Sequence, residues 1–180
     1  MEKSFITNVS FPKSLDEVLY FINVRGRFDV EEIMSSRYVE WTAPKSAHVG
    51  EAVYFMHSKT SIDTIRHLKK ELKTQWNDID AYVRDALGRA LEKGEELYGK
   101  VGGSIFAMGR VSGDIIVDEV ATRDGLHWRS RYYAPIDSIV LVEPPIGIAE
   151  FRSFISVSRT GAITKLDDSQ DEILRSLRAL

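Results

Sequence analysis

Between Val49 and Gly113 the apolar residues change period twice, and that switch restricts the fold more than any other feature of the chain. "GEAVYFMHSKTS", Gly50 to Ser61, contains the continuous run Val53, Tyr54, Phe55 and Met56, the composition of a strand buried on both faces. From Ser61 to Lys73 the period is helical. Ile62, Ile65, Leu68 and Leu72 share one face, while Arg66, Lys69, Lys70 and Lys73 lie elsewhere. A second helical stripe runs from Asn77 to Tyr98 through Ile79, Tyr82, Val83, Ala86, Leu87, Ala90, Leu91 and Leu97. Gly99, Gly102 and Gly103 end it, and "SIFAMGRVSG" (Ser104–Gly113) returns to strand composition. The pattern predicts two strands with a helical hairpin, about 61–98, set between them.

The flanks extend the same picture. "SFITNVSF" at 4–11 reads as a strand. "SLDEVLYFIN" reads as a helix behind a Ser14 cap, with Glu17 three residues on. "DVEEIMSS" predicts a short helix capped by Asp29, and Trp41 in "RYVEWTAPKSAHVG" falls in a loop rich in Thr, Pro, Lys and Ser. "IIVDEVA" is strand-like. "GLHWRSRYYAP" alternates strictly, with Leu126, Trp128, Ser130 and Tyr132 on one face and His127, Arg129, Arg131 and Tyr133 on the other. "IDSIVLVEPP", with Ile136–Val142 at its centre, predicts a long strand closed by Pro144 and Pro145. A short helix follows in "IGIAEFRSFI", then an irregular segment, "SRTGAITKL", with a turn at Gly161, and a C-terminal helix in "DSQDEILRSLRAL". Five or six strands with short helices at both ends imply one α+β domain over 1–180, a small mixed barrel with peripheral helices.

Composition narrows the function classes. No window approaches the roughly 18 apolar residues of a membrane span, and "MEKSFITNVSFP" lacks the apolar stretch of a secretory signal. Cysteine is absent, which removes thiolate metal sites and cysteine nucleophiles and fits a reducing cytoplasm. A net charge of −3 argues against coating of nucleic acid through phosphates over the whole surface, so any such contact must be a local basic patch.

The chemistry-bearing motifs are few. His48, His57, His67 and His127 show no paired metal-ligand spacing, so neither a metal nor a cofactor is expected. "YGKVGGS" follows a helix and precedes a strand, the reverse of a phosphate loop. His57 and Ser58 are adjacent, and neighbouring strand residues point to opposite faces, which disfavours a shared proton. "HWRSRYY" interleaves guanidinium and aromatic groups, a pattern that suits phosphates and stacked bases but also a half-buried strand. His57, Ser58 and Lys59 end a core strand in polar groups. They form either the rim of a site or anchors for the hairpin.

"VEWTAPKSAHVGEAVYFMHS", followed by "SIFAMGRVSG" and by "PIDSIVLVEPPIGIAEFRSFISVSRTGAITKL", resembles the EVE-like branch of the PUA-like superfamily, a relative of YTH and ASCH domains, over about two-thirds of the chain. The resemblance implies a compact barrel whose pocket reads a base, including chemically modified bases, in RNA or DNA, without catalysis. It also implies a loop aromatic near the pocket at Trp41 and a polar strand end at His57 and Ser58. Taken together, the expected ligand-binding set is Trp41, His57, Ser58, Lys59, Trp128, Arg129, Arg131 and Tyr133. The expected partner is nucleic acid or a free nucleobase-like ligand. The alternatives are a scaffolding domain that docks a protein on the hairpin, and a small nucleotide-processing hydrolase using His57 or His127.

Overall fold

The computed structural model describes residues 3–117, 122–123, 126–127, 132–157 and 162–180. The chain opens with β1 (Ser4–Val9) and α1 (Leu15–Tyr20). The Ser14 hydroxyl accepts the Glu17 N–H at 3.1 Å, the cap that the sequence predicts. α1 runs into a π-helical turn, Phe21–Arg25, which Gly26 closes at φ 74°. α2 (Asp29–Ser35) is capped differently from expectation. Phe28 is the cap residue, its N–H donating to the Glu31 carboxylate at 3.0 Å, and Asp29 is the first helical residue.

Next come β2 (Val39–Thr42), β3 (Ala52–His57), α3 (Ser61–Thr74), α4 (Ala81–Val101) and β4 (Ser104–Val111). The short strands β5 (Ile116–Val117), β6 (Thr122–Arg123) and β7 (Leu126–His127) lead to β8 (Tyr132–Gly147). α5 (Ile148–Phe151), β9 (Ile163–Leu166) and α6 (Asp168–Ser176) complete the chain.

A curled seven-stranded sheet in the order β2-β8-β4-β3-β1-β9, with β5 also on β8, forms a half-barrel. β1 and β3 run parallel from Ser4↔Ala52 to Val9↔His57, and such a pair needs a long crossover, here α1, α2 and β2. β3 and β4 are antiparallel neighbours, so the α3–α4 hairpin stands where a tight turn would otherwise join them. The edges β2 and β9 share no ladder among the described residues. Side chains tie the two sides instead: the Thr7 hydroxyl of β1 donates to Thr42 O at 3.2 Å, and the Lys165 ammonium donates to the Ser46 hydroxyl at 3.3 Å.

Three apolar clusters follow from the alternation of the strands. The concave face gathers Phe5, Val9, Trp41, Val53, Phe55, Ala134 and Ile136, with Val30 and Ile33 of α2 packed into it. The convex face gathers Ile6, Tyr54, Met56, Val142 and Ile146 against Phe151 of α5 and Leu174 of α6. All of Ala52–His57 is therefore buried, which explains its unbroken apolar run. The third cluster joins Phe11, Val18, Phe21 and Phe28 to Ile65, Leu68, Leu87 and Leu91 of the hairpin. The hairpin thus spends its apolar stripe on α1 and the π turn. Large apolar groups left outside are Trp76, 41% exposed and carrying the Arg84 guanidinium on its ring, and Tyr82, 79% exposed.

Several sequence expectations need correction. Trp41 lies on strand β2, opposite Ala134, and not in a loop, because the β propensity of Val39–Thr42 finds a partner in β8. The barrel-like sheet has seven strands, with β6 and β7 as a separate two-stranded ribbon, instead of five or six in all. The segment Leu126–Tyr133 divides between sheets: Leu126–His127 pairs with β6, Tyr132–Tyr133 with β5 and β2, and 128–131 lie outside the described residues. Pro144 and Pro145 do not end β8. They fall where the ladder to β4 breaks, between Leu141↔Ala107 and Ile146↔Ile105, so their missing N–H groups cost no pairing there. "AITKL", expected to be irregular, is β9 in large part and pairs with β1.

Candidate functional site at the barrel mouth

The predicted ligand set separates into two places. His57, Ser58 and Lys59 lie at the junction of β3 with the hairpin. The His57 side chain is 1% exposed, and its Nδ1–H donates to Val9 O at 2.9 Å. Its ring meets that of Tyr98 edge-on at 5.6 Å, and its own carbonyl accepts the Gly103 N–H at 2.9 Å. The Ser58 N–H also donates to Val9 O, at 3.0 Å, and the Lys59 carbonyl accepts the Tyr98 hydroxyl at 2.9 Å. Burial of the imidazole pushes its pKa below the usual histidine value, opposed by the bond to Val9. These three residues anchor the hairpin to the barrel, the second of the two readings the sequence left open. The His57 side chain therefore lines no mouth, since a sealed imidazole has no face left for a ligand; Ser58 is half-buried, its hydroxyl sharing a hydrogen bond with that of Thr60 at 3.2 Å, and Lys59 is exposed.

Trp41 and Tyr133 lie together one rung apart, through the pairs Trp41↔Ala134 and Thr42↔Tyr133. Both are 5% exposed. The expectation of a partly exposed Trp41 ring fails because β2 turns it into the concave-face cluster. Tyr133, expected in the ligand-binding set on the face of Arg129 and Arg131, is buried as well; the half-buried tyrosine is its neighbour Tyr132. Trp128, Arg129 and Arg131 lie outside the described residues.

A different group converges at this end of the half-barrel. Tyr132, Ala134 and Ile136 share a face by strand alternation, so Tyr132 continues the concave row outward from the core. The Lys45 ammonium sits over the Tyr132 ring, 5.7 Å from its centroid. Across the open seam, Ile163 and Lys165 of β9 are paired directly with Thr7 and Phe5, and Ile163 packs on the concave cluster. Directly opposed residues of a ladder share a face, which directs Lys165 to the concave side. Pro44, Lys45, Ser46, Ile163 and Lys165 thereby border an open concavity of about 660 Å³. Among the described residues β2 and β9 do not pair, and the concavity lies between the segment that follows β2, Pro44 to Ser46, and β9.

The two ammonium groups give this rim a positive field, and among the described residues none that lines it is a carboxylate. Two cations, a hydroxyl and an aromatic ring can hold an anion beside a flat group. Among the described residues, no three His, Asp or Glu side chains come together as a metal site, and no helix is long and apolar enough to cross a membrane. Sequence reading passed over Lys45, Ser46, Tyr132, Ile163 and Lys165. Lys45 and Ser46 stood inside the quoted Trp41 loop, and the alternation in "ITKL" was the available sign that Ile163 and Lys165 share a face.

The fold as a whole is similar to the crystal structure of protein Atu2648 from Agrobacterium tumefaciens, with a TM-score of 0.50 and 9% sequence identity. The superposition covers 99% of this chain and 94% of that one. The likeness is one of fold. No family model matches the sequence, and no curated protein matches it.

Proposed function

We propose that the chain is a non-catalytic binding module that receives a nucleic-acid base at the mouth of its half-barrel. On this reading the strand's phosphates meet Lys45 and Lys165, a displaced base lies against Tyr132, and the buried Trp41 supports the floor without touching the ligand. The observation that carries the proposal is an open concavity bordered by two lysines, one of which sits over the Tyr132 ring, with no acidic residue in its lining among the described residues. In a chain of net charge −3, a pair of cations without a counter-charge among the described residues, one of them over an aromatic face, is the kind of local patch that nucleic-acid recognition uses. Scaffolding through the hairpin finds less support, since its apolar stripe is consumed internally.

The test is binding of a short fluorescent single-stranded oligonucleotide, in RNA and DNA forms, followed by anisotropy. Tyr132→Ala should weaken binding by one to two orders of magnitude, because stacking one base contributes about 1–3 kcal/mol. Unchanged affinity in Tyr132→Ala, or turnover of the oligonucleotide by the wild type, refutes the proposal.

A further inference from the structure

A second cleft lies away from the barrel mouth, where the π turn and α2 face the hairpin. Its volume is about 220 Å³. One wall is a single face of α4, Ala86, Arg89, Ala90 and Lys93, at the i, i+3, i+4 and i+7 positions of one helical side. The other wall comes from the π turn and its exit, chiefly Phe21, Ile22 and Phe28. The apolar floor therefore joins the edges of two largely buried rings, 4% and 6% exposed, to the side of α4 that the two alanines line. A cavity of roughly 150 Å³ accepts benzene, so this one has room for a ring system of about nine or ten heavy atoms.

The rim is charged, and its charges are unequally used. The Glu31 carboxylate is fully engaged: one oxygen accepts the Phe28 N–H at 3.0 Å and the other pairs with the Lys93 ammonium at 2.7 Å. That pair is internally neutral. Arg27 donates only to hydroxyls, those of Ser35 at 2.6 Å and Ser36 at 3.3 Å, so its positive charge has no counter-charge in these contacts. Arg89 is exposed and makes no ion pair or hydrogen bond among the described residues. Two guanidinium groups without counter-charge thus stand at the opening of an apolar slot. Guanidinium is the cation whose planar fork matches a carboxylate in two parallel bonds.

The π turn explains how the slot is formed. The Gly26 N–H closes the turn on Phe21 O at 2.7 Å, and the wider turn carries the chain from α1 into α2 across the face of α4. Gly26 holds the left-handed conformation there, and a β-carbon at that position would meet nothing within 4 Å, so the backbone beside the slot stands clear. Single π turns of this sort concentrate at functional sites.

We infer that this cleft binds a small aromatic carboxylate, its ring between Phe21, Phe28 and the alanine face of α4 and its anion on Arg89, with Arg27 adding charge. The inference is independent of base binding at the mouth. The test uses indole-3-carboxylate, its neutral counterpart indole, and inorganic phosphate, each titrated into the full chain and followed by backbone amide chemical shifts.

Indole-3-carboxylate should saturate at about 0.1–1 mM, as ligand efficiency allows for its size. The shifts should centre on residues 21–31 and 86–93, with indole about tenfold weaker at low salt. Arg89→Gln, at an exposed position that leaves packing alone, should remove most of that tenfold difference and leave indole binding unchanged. Ala86→Leu should abolish both by filling the slot. Any of four results overturns the inference: no saturable shift for either ring compound, phosphate binding as tightly as the aromatic acid, shifts centred on Lys45 and Lys165, or an Arg89→Gln variant that still prefers the carboxylate by tenfold.

Discussion

Trp41→Ala tests directly whether the tryptophan holds the barrel together or serves a ligand. The indole is 5% exposed and sits in a cluster with Phe5, Phe55, Ala107 and Ala134, residues from four different strands. Those strands are tied to one another by ladders on both sides, so the cluster has little freedom to collapse into the space an alanine would leave. Truncating a buried tryptophan under such conditions costs about 3–5 kcal/mol. At about 2–4 °C per kcal/mol for a chain of this length, the melting temperature should fall by roughly 6–20 °C. Circular dichroism on heating reads the shift, and urea unfolding should show a lower midpoint at unchanged slope. Trp41→Phe should lie between alanine and wild type. A loss below about 3 °C for Trp41→Ala would show that the ring is not part of the core, and the division between barrel floor and barrel mouth would fall with it.

Two further perturbations probe the joints of the fold. His57 is held neutral by burial, its pKa below the unfolded value of about 6.5, so the unfolded chain takes up the proton first. Stability should therefore be level above about pH 7 and fall as pH drops below about 6.5; His57→Asn, which keeps a donor for Val9 O, should flatten that fall, and an unchanged slope would contradict the assignment. Burial, aided by donation of its hydroxyl to Asp171 at 2.6 Å, raises the pKa of Tyr54, and the same bond anchors α6 to the convex face. Tyr54→Phe should cost about 1–3 kcal/mol and speed amide exchange across Asp168–Ser176, whereas exchange confined to other regions would show that α6 is held elsewhere.

The parts of the fold legible in the sequence were those that a single period specifies. The run Val53–Met56 announced a strand buried on both faces, and the stripes of Ile65, Leu68, Leu87 and Leu91 announced the hairpin, because each pattern repeats over several residues. β2 and β9 escaped because each is four residues long and owes its state to a partner distant in sequence, β8 in one case and β1 in the other. The site was harder. Lys45 and Lys165 are 120 positions apart and meet only because the sheet curls without closing, so no local pattern joins them. His57 misled for a related reason: a polar residue ending a core strand looks the same in sequence whether it faces solvent or caps the adjacent Val9 carbonyl.

The central claim, that the cationic rim of the half-barrel meets nucleic-acid phosphates, is tested most directly by the salt dependence of oligonucleotide binding in wild type and in the Lys45→Ala/Lys165→Ala double variant. Each phosphate contact on a single strand contributes about −0.7 to the slope of log K against log salt, so losing both lysines should make the slope shallower by about 1.4. Lys73→Ala, at the exposed end of α3, should leave it unchanged. An identical slope in the double variant and wild type, or no oligonucleotide binding by the wild type at low salt, would contradict the account.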